Sequence, residues 1–222
     1  AERADHHHEV VDLALGVDVD EVAAGDLLAV DRGLEDEGVI FAVVDLAQHE
    51  ATAAGRRLKD EGFRFDASFT STMVRAIETS RLALEALGKS DLAPCRDAAL
   101  DECDYDVLSG LDKRTAYRRF GEKRVEHWRC SYTGLPPDGE SLRDTVARMT
   151  PFYLDRIRPA ATLGPTFVVG YGNALRGLVM RLEGMDARQV EALELATGSI
   201  RAYALGSGAT VVERRTYDPA ST

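Results

Sequence analysis

Two glycine-containing turns concentrate the side chains that could do chemistry in this sequence. Asp31-Arg32-Gly33 follows the apolar run Leu27-Leu-Ala-Val30, and Gly170-Tyr171-Gly172-Asn173 follows Thr166-Phe-Val-Val169. Glycine lets a backbone approach a ligand closely, and the amino end of a following helix favours an anion. Arg32 offers a guanidinium that can hold a phosphate or carboxylate by two parallel hydrogen bonds. The Asp31 carboxylate could attack phosphorus to give an aspartyl phosphate. His6-His7-His8 lies between Asp5 and Glu9, all metal-binding residue types, but a solvated terminal cluster is the simpler reading and no metal site is assigned. Cys103 follows Glu102 and is a candidate reactive thiol, with a buried, inert cysteine the expectation.

These turns need a scaffold. The chain has 222 residues, enough for one α/β domain with a well-filled core. No Pro/Gly/Ser-rich linker divides it. Residues 5–15 read as a short helix, 27–30 as a buried strand, and 39–44 as strand-like by composition. From Gln48 to Glu61 the pattern is helical, with Ala51, Ala54 and Leu58 on one face and Gly62 at the end. Residues 65–69 read as a strand and 72–87 as a helix stopped by Gly88. Single helices are expected over 111–128, over 141–158 ending at Pro159, over a stretch after Asn173 to Leu182, and over 186–195. Residues 199–205 and 209–214 read as paired strands. Strands alternating with helices imply a three-layer α/β/α fold with a mainly parallel sheet, ligands lying beyond the carboxyl ends of its strands.

A formal net charge of -11 disfavours nucleic acid or an anionic membrane as partner, because phosphate binding needs clustered Lys and Arg. A local basic pocket for a small anionic metabolite remains compatible with it. The basic face of residues 111–128 is read as a solvated surface rather than a docking site. The three cysteines show no metal-like spacing and suit a reduced, cytoplasmic setting. No apolar run reaches membrane-spanning length, and no cofactor is implied.

Several segments resemble the cofactor-dependent phosphoglycerate mutases of the histidine phosphatase superfamily. They are residues 63–71 with Val74-Arg-Ala-Ile-Glu-Thr79, Leu100-Asp-Glu102 with Tyr105 and Leu108-Ser-Gly-Leu-Asp-Lys113, Trp128-Arg-Cys-Ser-Tyr132, Glu140-Ser-Leu-Arg-Asp-Thr145, Gly172-Asn-Ala-Leu-Arg-Gly177 and Leu195-Ala-Thr-Gly198. They run in the family's order over residues 27 to about 205. This implies a phosphoglycerate-mutase-like domain over 26–222, with residues 1–25 as an extension. A homodimer is compatible with the resemblance.

The resemblance also implies a phosphohistidine mechanism, in which an Arg-His-Gly turn after the first strand supplies the nucleophile and a second histidine precedes Gly-Asn. Placed on that frame, Arg32 stands at the nucleophile and Asp31 at the preceding arginine, while Tyr171 stands at the second histidine. A guanidinium stays charged and does not attack phosphorus. The histidines are His6, His7, His8, His49 and His127, and none lies in a matching segment. Arg75 and Glu102 match the pocket arginine and the glutamate that exchanges protons. Lys113, Arg129 and Asn173 match positions that contact or frame the anionic substrate. The loop after Gly33 and the segment 133–139 are shorter than the family's, which implies loss of mutase activity.

Arg32 and Arg75 therefore either clamp an anion or are neutralised by Asp31 and Glu102. Glu102 and Tyr171 either form an acid–base pair, or Tyr171 merely fills an imidazole's space. The expectation is a repurposed isomerase, lyase or condensing enzyme acting on a small anionic metabolite through Glu102, with Tyr171 and Asp31 as further catalytic candidates. The alternatives are an inactive binding or regulatory module and a residual phosphatase or mutase.

Overall fold

The computed structural model of the chain describes residues 39–45, 48–206 and 209–217, with side chains from Glu50 onward, and these fall within one compact unit. The order is β1 (Val39–Asp45), α1 (Gln48–Asp60), β2 (Ala67–Thr70), α2 (Val74–Leu87), β3 (Cys95–Arg96), α3 (Lys113–Phe120), α4 (Glu122–Cys130), α5 (Leu142–Phe152), α6 (Arg158–Leu163), β4 (Thr166–Gly170), α7 (Gly172–Glu183), α8 (Ala187–Glu191), β5 (Ile200–Leu205) and β6 (Val211–Tyr217). One sheet has the order β3-β2-β4-β1-β5-β6. Its first four strands are parallel, and β5 and β6 add as antiparallel neighbours beyond β1.

β4 is the spine. It is buried at every residue, which is why Thr166-Phe-Val-Val169 reads as an unbroken apolar run rather than an alternation. Phe167 and Val169 face one layer, with Ala51, Ala54 and Leu58 of α1 and Ala83, Leu84 and Leu87 of α2. Val168 faces the other, with Met149 of α5, Ile157, Ala161 of α6, and Leu175, Leu178 and Leu182 of α7. These are the expected three layers with a mainly parallel sheet. α1 and α2 approach closely at Gly55, where a Cβ would collide with the Ala83 carbonyl oxygen.

The structure corrects four boundaries. The place between β4 and β5 is filled by Val39–Asp45, with Val44 opposite Val169 and Asp45 opposite Gly170. The residues that follow the first described strand are therefore 46 and 47, not Asp31-Arg32-Gly33; residues 1–38, and the readings placed on them, lie outside the described residues. The helix expected over 111–128 is two, α3 and α4, broken at Gly121 with φ 85° and ψ 137°. Pro159 does not end its helix. A wide π-type turn, Tyr153–Ile157, links α5 to α6, and a proline in the first turn of α6 needs no donor there. The last helix covers only Ala187–Glu191, held by an Asp186–Gln189 capping box.

Gly55→Val should lower stability by roughly 2–3 kcal/mol, because the added atoms meet backbone that cannot rotate away. Equilibrium urea unfolding of the two proteins measures this, and an unchanged midpoint would contradict the close approach of α1 and α2.

Candidate functional site

Three parallel strands end at one side of the sheet, each delivering part of a polar cluster. β2 runs into Ser71-Thr72-Met73 and then Arg75 of α2. The loop after β3 carries Asp101, Glu102 and Cys103. β4 runs into Tyr171 and α7. This is where open α/β sheets bind ligands.

Glu102 joins two of these segments. Its Oε1 accepts hydrogen bonds from the backbone N–H groups of Cys103 at 2.8 Å and Asn173 at 2.9 Å. The second donor belongs to the first turn of α7, whose amides lack intrahelical partners and favour negative charge. Gly172 has φ 40°, and a Cβ there would overlap Glu102 Oε2. The missing side chain is what lets the carboxylate reach the helix.

Asn173 is buried and passes the arrangement on. Its Nδ2 donates to the Tyr105 hydroxyl at 2.7 Å, and its Oδ1 accepts from Arg176 Nη1 at 2.8 Å. Arg176 Nη2 donates to the carbonyls of Val190 and Glu191 at the end of α8. Burial, and after it the Glu102 carboxylate, pushes the Tyr105 phenol well above its ordinary range, so it stays neutral.

Tyr171 turns towards α2. Its hydroxyl lies 2.9 Å from Thr79 Oγ1, and the Arg75 guanidinium carbon lies 4.8 Å from its ring centroid. Arg75 Nη2 also points at Met73 Sδ, 3.6 Å away. Among the described residues Arg75 has no carboxylate partner, so its charge is not neutralised by Glu102.

The loop bearing Glu102 is pinned from behind. Arg148 donates to both carboxylate oxygens of Glu140, at 3.1 and 2.9 Å, and to the carbonyls of Ala98 and Asp101. The Asp101 carboxylate accepts from the N–H and hydroxyl of Thr72, each at 2.7 Å. Cys103 Sγ donates to the Glu140 carbonyl, and burial pushes its thiol up to about 11. It is buried, as expected.

The structure thus gathers Arg75, Glu102, Tyr171 and Asn173. Arg129 lies at the periphery, lining a recess of about 160 Å³ with Tyr105, Leu108 and Val125. Lys113 pairs with Glu126 at 3.2 Å and lies over the Tyr117 ring, on the outer face of α3 and α4. Asp31 and Arg32 lie outside the described residues. Thr79, Arg148 and Arg176 received no role from the sequence. Thr79 is four residues from Arg75, and Arg176 three from Asn173, so helical spacing alone puts each on the same face as its partner.

Residues 44–218 match the family described as Histidine phosphatase superfamily (branch 1). The chain belongs to this family. It is 45% identical over 175 residues to a protein of Mesorhizobium japonicum called 2,3-bisphosphoglycerate-dependent phosphoglycerate mutase, covering 77% of this chain and 85% of that one. A protein of the same name from Azorhizobium caulinodans is 45% identical over 186 residues, covering 83% of this chain and 86% of the relative. In fold the chain resembles a mycobacterial glucosyl-3-phosphoglycerate phosphatase, with TM-score 0.67, 18% identity, and coverage of 84% and 100%. It also resembles a phosphoglycerate mutase from Bacillus anthracis, with TM-score 0.63, 20% identity, and coverage of 83% and 95%.

These relatives overturn the expectation of a repurposed enzyme that works without a phosphohistidine, and favour the phosphatase or mutase alternative instead. The short segment 133–139, taken as a sign of lost mutase activity, lies inside the family match. The turn at Asp31-Arg32-Gly33, which carried the argument for a lost nucleophile, lies before it.

Gly172→Ala should displace the Glu102 carboxylate and cost roughly 1–3 kcal/mol of stability, since strain and overlap act together. Thermal unfolding checks this; an unaltered melting temperature would mean the carboxylate is not seated as described. Cys103 should resist dithionitrobenzoate in the folded protein at pH 8, where about one thiol in a thousand is ionised for the pKa of about 11. The exposed Cys130 should react. Prompt labelling of Cys103 would show the loop to be open.

Proposed function

We propose that this chain is a phosphoglycerate-mutase-type protein, handling the phosphoryl group of phosphorylated three-carbon acids at the carboxyl ends of β2 and β4. The observation that carries this reading is the Glu102 carboxylate seated on the backbone amide of Asn173, with Arg75, which has no carboxylate partner among the described residues, over the ring of neighbouring Tyr171, within a chain 45% identical to proteins called by that activity.

In this reading Arg75 binds the anion through its guanidinium, with Arg129 at the periphery. Asn173 and Tyr105 form the polar wall. Glu102 gives a proton to the substrate oxygen whose bond to phosphorus breaks and takes one from the attacking oxygen, of water or of another hydroxyl, that bonds to phosphorus in its place. Lys113, paired with Glu126, has no part in this reading.

Tyr171 stands where the resemblance places the family's second histidine. A phenol engaged by Thr79 is a poorer proton relay near neutral pH than an imidazole. Phosphoryl transfer in this chain is accordingly slow relative to the family, with the substrate class unchanged.

The test is an assay converting 3-phosphoglycerate to 2-phosphoglycerate, primed with 2,3-bisphosphoglycerate and coupled to enolase, with phosphate release followed in parallel. Glu102→Gln should lower kcat by about 10²–10⁴-fold, the range for removal of a general acid–base group. Tyr171→His should raise kcat at saturating substrate, by about tenfold or more. The reading is wrong if the purified protein neither interconverts the phosphoglycerates nor hydrolyses the bisphosphate.

A further inference from the structure

The proton transfer assigned to Glu102 makes no use of the Tyr171 ring, yet that ring is held at two points. We infer that Tyr171 is a positioning residue: anchored by Thr79, it carries the Arg75 guanidinium and presents it to an incoming anion. The phosphoglycerate reading enters only in naming that anion.

Thr79 is wholly buried on α2, one turn beyond Arg75, so the two side chains rise from one face of the helix. Its hydroxyl and that of Tyr171 are 2.9 Å apart, which fixes the outer edge of the ring. The face of the same ring then meets the guanidinium at 4.8 Å, within the reach of a cation–π attraction. One aromatic side chain thereby ties the segment after β4 to the helix after β2.

This support differs in kind from a salt bridge. A carboxylate would hold Arg75 equally well, but it would occupy the N–H donors and cancel the charge. A ring face attracts the cation and leaves the N–H groups in the guanidinium plane available, apart from the weak contact with Met73 Sδ. An exposed arginine without support would sample many rotamers and lose that freedom when a ligand arrived. Stacking removes it during folding, which is how a preorganised site gains affinity. An imidazolium in the same place would repel Arg75.

The experiment uses the full chain, with arginine labelled for NMR. Ring current should move the Arg75 side-chain protons upfield. Tyr171→Leu should abolish that shift, weaken binding of inorganic phosphate and of 3-phosphoglycerate roughly three- to tenfold, and raise KM by a similar factor while lowering kcat much less. Tyr171→Phe and Thr79→Val keep the ring but loosen it. Each should reduce the shift by a similar intermediate amount, with no further loss when combined, and Thr79→Ser should restore it. Should Tyr171→Leu fail to fold, these milder variants decide. If the shift and phosphate affinity survive loss of the ring or its anchor, the inference is overturned even where phosphoglycerate turnover stands. If phosphate binding and the shift behave as expected but 3-phosphoglycerate is neither bound nor converted, the functional reading fails and the positioning role stands. Absence of any anion binding by the unaltered protein overturns both.

Discussion

The seat of the Glu102 carboxylate is the joint on which the site depends. Two amides from separate parts of the chain converge on one oxygen, one from the loop after β3 and the other from the opening turn of α7. Hydrogen bonds to a charged group contribute about 1.5–3 kcal/mol each, so this contact holds two loops in register against their own entropy. It demands a residue without a side chain at position 172. It also demands a loop that cannot swing away, which Arg148 ensures by gripping Glu140 and the carbonyls of Ala98 and Asp101 together. A group so placed anchors the fold locally and also stands where a proton could be exchanged.

The sheet explains why these parts meet. β4 lies between β2 and β1 and is buried on both faces, so its carboxyl end is surrounded by protein rather than exposed at an edge. α2 leaves from the end of β2 on one face and α7 from the end of β4 on the other, the helices being held by separate halves of the core. Between their amino ends, side chains from both layers meet. Tyr171 exploits this by reaching from the α7 side to Thr79 and Arg75 on α2.

Most of the elements were legible in the sequence, and the misreadings have physical causes. Ala51, Ala54 and Leu58 showed the buried face of α1, and the apolar run of β4 showed a strand covered on both sides. Gly88 stopped α2 as expected, in the left-handed conformation a side chain resists. Gly121 was passed over because helical periodicity continues across it, although its extended ψ divides α3 from α4. Pro159 was read as a stop because a proline usually ends a helix, but a preceding π-type turn alters which donors are needed. In the candidate site, Glu102, Arg75 and Asn173 were named by resemblance, and the structure places them at the carboxyl end of the sheet. Thr79 and Arg148 were not, since their partners lie 92 and 47–50 residues away in sequence and no local pattern announces a contact that only the sheet order creates.

The functional misreading came from weighting two turns and two shortened segments above the whole. Asp31-Arg32-Gly33 was fitted to the nucleophile position, and from that fit a change of chemistry was concluded. The position beside β4 belongs to Val39–Asp45 instead, and the family match runs over residues 44–218, which hold the segments that build the candidate site. Substrate class is set by how many groups recognise the anion and where they stand, whereas rate is set by the few that move protons. In the proposed reading, a departure at Tyr171 alone therefore bears on rate far more than on what is bound. On the same reading, the support its ring gives to Arg75 lets the position lose a proton relay and still favour the same anion.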